Sequence, residues 1–295
     1  MSTELQAHIE ASFLQACRLD VATRKAGNVS HASAGHGMAA ALFERSAEAA
    51  VAPLCAAGRR VGERIEAAVA ASVRVAQCNT NLGILLLCAP LAAAAALPGA
   101  LGQGRDSLHE ALRTVLLGLD VADAAAAYRG IALAQPGGLG QATSQDVAEP
   151  PSIGLRQAMA LAAHRDLIAR QYSNEPVFAE VVGTGAAAID AALALAQSRG
   201  HDLQQAWCNG MLHAYLVLLS SRPDSHIVRK HGEAAAHCVI REAQPWLARW
   251  QRGQDLPADP AYADWDASLK TRGWNPGTTA DLCVASAMFV RLTAL

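Results

Sequence analysis

The chain has 295 residues, is 52% hydrophobic, 17% charged and 4% aromatic, and carries 24 Lys+Arg against 26 Asp+Glu for a formal charge of −2. That apolar content excludes disorder, and the charge balance excludes a general nucleic-acid binder while leaving room for a local basic pocket. About one residue in five is Ala, the best helix former and a poor strand former, so the composition predicts an all-α protein.

The N-terminal MSTELQAHIEASFLQACRLDVATRK mixes acids with apolar residues at helical spacing and lacks the basic and apolar regions of a signal peptide. Seven Cys, at 17, 55, 78, 88, 208, 238 and 283, form no CxxC pair and sit among apolar neighbours. Buried free thiols and a reducing, cytoplasmic location are therefore expected. Apolar periodicity near 3.6 predicts helices over 4–23, 37–56, a stretch carrying the stripe Val61, Ile65, Ala68, Val69, Ser72 and Val73, then 83–97, 106–134, 153–171, 176–198, 202–220, 226–251 and 278–294. Leu82 to Leu101 is long and apolar enough to suggest a membrane span, but it is Ala-rich, holds Pro90 and has no flanking aromatic or basic belt. It is read as the buried central helix of a bundle. The expectation is one compact domain over 1–295, of roughly ten helices, outside any membrane.

The breaks are Arg24–Gly37, Gln77–Gly83, Gln135–Ser152, Ser173–Pro176, Ser221–Ser225 and Leu256–Thr278. Gln135–Ser152 is too long for a simple turn and reads as a functional loop or lid. Arg24-Lys25-Ala26-Gly27-Asn28 is either a phosphate site, with Gly27 admitting close backbone approach and Lys25 a point charge, or a Gly cap with solvated cations. Asn79-Thr80-Asn81 either caps the most apolar helix, through Thr80 or Asn81, or faces an anion or nucleobase. Asp166 is spaced to pair with Arg170, and Asp146 reads as an Asx turn. Asp224 is placed to cap a helix carrying Arg229, Lys230 and His231, six ionisable groups in ten residues of a charge-poor chain. Asn275-Pro276-Gly277-Thr278 precedes the last helix, with Thr278-x-x-Asp281 resembling a capping box; the turn otherwise makes an anion site and Asp281 a Mg²⁺ ligand.

In this order, KAGNVS, NTNLGILLLCAPLA, PGGLGQATSQDV, RDLIARQY, DSHIVRKHG and NPGTTADL resemble the triphosphoribosyl-dephospho-CoA synthase family, in its branch from archaea and bacteria with archaeal-type C1 metabolism. The resemblance runs from about residue 10 onward. It implies an all-α transferase that joins the ribose triphosphate of ATP to the ribose of 3′-dephospho-CoA and releases adenine, with Mg²⁺ on the triphosphate. It also implies Lys25 and Asn28 near phosphate, Asn79, Thr80 and Asn81 near ribose or base, and Arg229, Lys230 and His231 on phosphates. Asp224, Asp166 and Asp281 are then candidates for metal binding or oxocarbenium stabilisation. The chain departs from the family pattern at Ala26, usually Pro; at His36-Gly37-Met38, where a His-x-Asp-Met motif stands; and at Thr80-Asn81-Leu82-Gly83, where Thr-His-Lys-Gly stands. The rivals are an enzyme acting on a phosphorylated C1-cofactor precursor of pterin or methylofuran type, and a silent helical nucleotide- or partner-binding protein. A homo-oligomer is compatible with all three.

Overall fold

The computed structural model describes residues 2–138, 140, 142, 144–199 and 202–294. Among them are fourteen α-helices and no strand: α1 (Thr3–Ala22), α2 (Ala40–Cys55), α3 (Val61–Ala76), α4 (Leu82–Ala95), α5 (Arg105–Leu117), α6 (Val121–Ala134), α7 (Leu155–Ala162), α8 (Leu167–Ser173), α9 (Ala186–Arg199), α10 (Leu203–Ser221), α11 (Ser225–His231), α12 (Glu233–Gln251), α13 (Pro260–Thr271) and α14 (Gly277–Leu292).

The count exceeds ten for local reasons. The expected helix 106–134 breaks at Gly118, and Asp120 starts α6 by accepting from Ala122 N (2.9 Å) and Asp123 N (3.2 Å). The stretch 153–171 breaks where Asp166 caps α8, and 226–251 breaks at Gly232, whose φ of +83° suits a residue without Cβ. Within the expected loop 256–278, Asp259 caps α13 and Pro260 takes its first turn. The stretch 176–198 opens with a π-helical turn, Ala179–Gly185, before α9. There Gly185 lies so close to Ser286 of α14 that a Cβ would overlap it.

Helix α4 is apolar all round and ends at Ala95, which is short for a membrane span. Twelve of its residues are buried, against α14, α5, α3 and α2. One other segment, Ala179–Ser198, has the length and hydropathy of a span among the described residues, with 44% of it buried. Helices α2, α3 and α6 pack in succession on one flank, and α9, α10 and α12 on another, while α1 runs against α14. All seven cysteines are free; Cys17, Cys55, Cys88 and Cys283 are buried, but Cys208 and Cys238 are half-buried and Cys78 is exposed. The expectation of uniformly buried thiols therefore fails at three positions, each near a helix end or on an outer face.

Candidate active site

The ends of α1 and the start of α14 meet across the start of α4, and the loop after α6 covers them. They enclose a cavity of about 310 Å³ that also takes in residues of α7, α8 and α11. Its polar lining includes Asp20, Asn28, Asp166, His226, Arg229, Asn275 and Asp281, and Met38, Phe43, Ile131, Met159 and Ile168 are among its apolar residues.

The last turn of α1 supplies Asp20, whose carboxylate pairs with the Lys25 ammonium at 3.0 Å. Lys25 is wholly buried and also donates to the carbonyls of Asp20 and Thr23. These contacts of its ammonium all lie within the protein, and Lys25 does not line the cavity. Burial holds the Asp20 carboxyl above its ordinary value, and the Lys25 charge behind it offsets that rise only in part. On α14, Asp281 faces the first turn of α4, where a Cβ at Gly83 would overlap its carboxylate. Among the described residues nothing donates a hydrogen bond to Asp281. Burial first, then repulsion from Asp20, holds its carboxyl well above the usual range.

On the facing wall, Asp166 caps α8 with Oδ1, accepting from Ile168 N (2.8 Å) and Ala169 N (3.2 Å), and its Oδ2 accepts from Arg229 Nη1 at 2.5 Å. The expected partner, Arg170, instead lies 3.8 Å from Glu180. The Nε of Arg229 is buried without a hydrogen-bond partner among the described residues. A buried unpaired donor is costly, so an anion in the cavity would be a favourable partner for it. Beside it, burial and then the charges of Lys230 and Arg229 depress His226 to about 3, leaving a neutral imidazole. Asn28 and Asn275 are joined across the cavity edge by a 3.1 Å hydrogen bond.

Of the residues singled out from sequence, the cavity thus gathers Asn28, Asn79, Thr80, Asp146, Asp166, Arg229, Asn275, Thr278 and Asp281. Six stand outside it. Asp224 is buried with both oxygens committed: Oδ1 caps α11 through His226 N and Ile227 N, and Oδ2 accepts from Thr279 N (2.7 Å) and Thr279 Oγ1 (2.8 Å). One carboxylate thereby caps two helices, and no oxygen remains for a metal. That arrangement replaces the expected capping box, since α14 has no side-chain cap of its own. Gly27, at φ +81°, donates its N–H to Asp266 (2.8 Å), and a Cβ there would strike the Trp274 carbonyl; its close approach is to protein. The α1 cap is Thr23, not Gly27. Asn81 is buried and reaches the Phe43 carbonyl, leaving Asn79 to accept from Leu82 N at 3.2 Å. Lys230 is exposed, with its stem under Gly137 of the covering loop, and His231 contacts the Gly273 carbonyl. Asp146 forms the expected Asx turn with Ala148 N (2.9 Å) in that loop.

Five polar residues of the cavity went unnamed as candidates: Asp20, Tyr128, Gln145, Arg165 and His226. His226 lay inside the dense segment 222–233, and Asp20 had the signal of an acid five residues before Lys25.

The described residues thus form an all-α protein with a cavity that presents acids and cations together, a setting for a polyanionic substrate. A family model described as CitG: ATP:dephospho-CoA triphosphoribosyl transferase matches residues 6–295. The chain belongs to that family and is a transferase. The match favours the triphosphoribosyl transferase reading over the C1-cofactor and silent-binder rivals. Among solved structures, a likeness of fold links it to an Archaeoglobus fulgidus protein provisionally assigned as a triphosphoribosyl-dephospho-CoA synthase. The TM-score is 0.61 at 23% identity, covering 85% of this chain and 98% of that one. No curated protein sequence gave a match.

Proposed function

We propose that the cavity binds ATP and 3′-dephospho-CoA and transfers the ribose 5′-triphosphate unit from adenine to a ribose hydroxyl of the acceptor. The C1′–N9 bond of ATP breaks with its electron pair leaving on adenine. A C1′–O bond forms to the acceptor hydroxyl, and the hydroxyl proton ends, in net terms, on adenine. One observation carries this reading: two carboxylates, Asp20 and Asp281, line the same cavity as Arg229, a half-buried arginine whose buried Nε has no partner among the described residues.

An oxocarbenium-like centre gains from a fixed anion nearby, and the Lys25 ammonium at 3.0 Å holds the Asp20 carboxylate in place for that task. Arg229 is suited to triphosphate oxygens, with Asp166 holding its guanidinium in place. Asn28 and Asn275 retain amide groups for ribose hydroxyls, and Asn79 and Thr80 stand where base or ribose would meet the start of α4.

Among the described residues no cluster of three His, Cys, Asp or Glu forms a protein-only metal site. Mg²⁺ instead commonly takes one or two carboxylates together with substrate phosphates. Asp20 and Asp281 fit that donor set and would hold it, in place of the expected Asp281 and Asp224 pair. When bound, the ion would supply neutralisation of the triphosphate charge. A cytoplasmic setting suits the seven free thiols, and α4 is suited to act as the central apolar post whose first turn carries Gly83 to Asp281.

The test is adenine release from Mg·ATP with and without 3′-dephospho-CoA, with the product identified by mass spectrometry. Acceptor-dependent adenine and a triphosphoribosylated product are expected. Folded protein that gives neither would overturn the reading.

A further inference from the structure

The reaction needs room for two polyanions. Beyond the main cavity lies a second depression of about 390 Å³, lined by Ser144, Leu161 and His164 together with Ala142, Gln145, Ala158, Ala162 and Arg165. The last five line the main cavity as well, so the two spaces share a wall. That wall is built mostly of Ala, and Arg165 is its one charged residue.

Arg165 differs from the other cavity arginine. Arg229 is tied to Asp166, whereas the Arg165 side chain is exposed and has neither hydrogen bond nor ion pair among the described residues. Its neighbour His164 is also exposed, also without a side-chain partner among those residues, and faces the second depression. A free guanidinium at the junction of two spaces fits a bidentate anion such as a diphosphate. The bland role, a solvated cation after the end of α7, does not account for its position on both linings.

We infer that Arg165, with His164 beside it, forms the subsite for the 5′-diphosphate of the acceptor, whose pantetheine arm runs out along the second depression. This rests on the transfer reading above. The acceptor reacts at its ribose, and its diphosphate hangs from the same sugar. The step from Asp166, in the reacting cavity, to Arg165, at the junction, follows that covalent neighbourhood. The triphosphate is left to Arg229.

Calorimetric titration tests this with ATP and 3′-dephospho-CoA separately, on wild type, Arg165→Ala and Arg165→Lys, with inorganic diphosphate as competitor. Arg165→Ala should weaken the acceptor about tenfold or more and leave ATP within about twofold. Arg165→Lys should recover part of the loss, and diphosphate should compete with the acceptor in wild type alone. Equal weakening of both ligands, no weakening of either, or a wild type that does not bind 3′-dephospho-CoA overturns the subsite. Adenine release is read in parallel. Arg165-dependent acceptor binding without adenine sinks the transfer reading and keeps the subsite; adenine release with Arg165→Ala titrating like wild type does the reverse.

Discussion

Replacing Asp224 separates a structural clamp from a reacting group. Its carboxylate accepts four hydrogen bonds, two from the first turn of α11 and two from Thr279 on α14. Asp224→Ala removes a helix cap, costing about 1 kcal/mol, and strands the buried Thr279 N–H, costing about 1–3 kcal/mol. The expected loss is therefore about 2–4 kcal/mol. Asp224→Asn keeps the Oδ1 cap but turns an amide donor toward Thr279 N–H. It also removes a charge that burial opposes, since burial pushes the Asp224 carboxyl up despite its hydrogen bonds. The Asn loss should be smaller, about 1–2 kcal/mol. Urea unfolding reads both as a lowered midpoint at unchanged slope. Ligand binding, measured where each variant is still folded, should persist in the Asn variant. An Asn variant of wild-type midpoint that binds neither ATP nor Mg²⁺ would refute the clamp and return Asp224 to the site.

Lys25→Met should cost about 3–5 kcal/mol, because it leaves Asp20 buried and unpaired. Adding Asp20→Asn should recover most of that in thermal melts, and simple additivity of the two losses would count against the pair. Glu242 is held down to about 2, first by the Arg272 guanidinium, from an ordinary 4.5. Its contribution is present above 4.5 and lost as pH falls through 2, about 2–3 kcal/mol after allowing for its partial exposure. Glu242→Gln should flatten the stability profile between those two values, and an unchanged acid limb would contradict the ion pair.

Helical character, the site-bearing breaks and several cavity residues were legible because they depend on local pattern: Ala content, the 3.6 period, and polar runs at helix starts. The helix count was not, although its signals were present. Gly232 and the Asp259-Pro260 start are ordinary punctuation, but apolar periodicity continues across the first, and the second lay in a stretch rich in turn residues. Asp20 was hidden for a different reason. It occupies a helix position among apolar neighbours, and only the chain's return at Lys25 and the arrival of Asp281 from α14 make it a cavity acid. Asp224 shows the converse. A carboxylate beside a cationic run suggests chemistry, and only the approach of Thr279 reveals that its oxygens are already used.

The burial of α4 sets a schedule for the nascent chain. Its apolar surface is complete once Ala95 is made, yet α14, which covers part of it, begins about 180 residues later. At ordinary rates of synthesis that interval is roughly 10–40 s. Throughout it α4 is a sticky, partly uncovered helix, so the protein should rely on holding chaperones during translation. The same closure brings Asp281 to Asp20, which makes completion of the cavity coincide with the end of the helix's exposure.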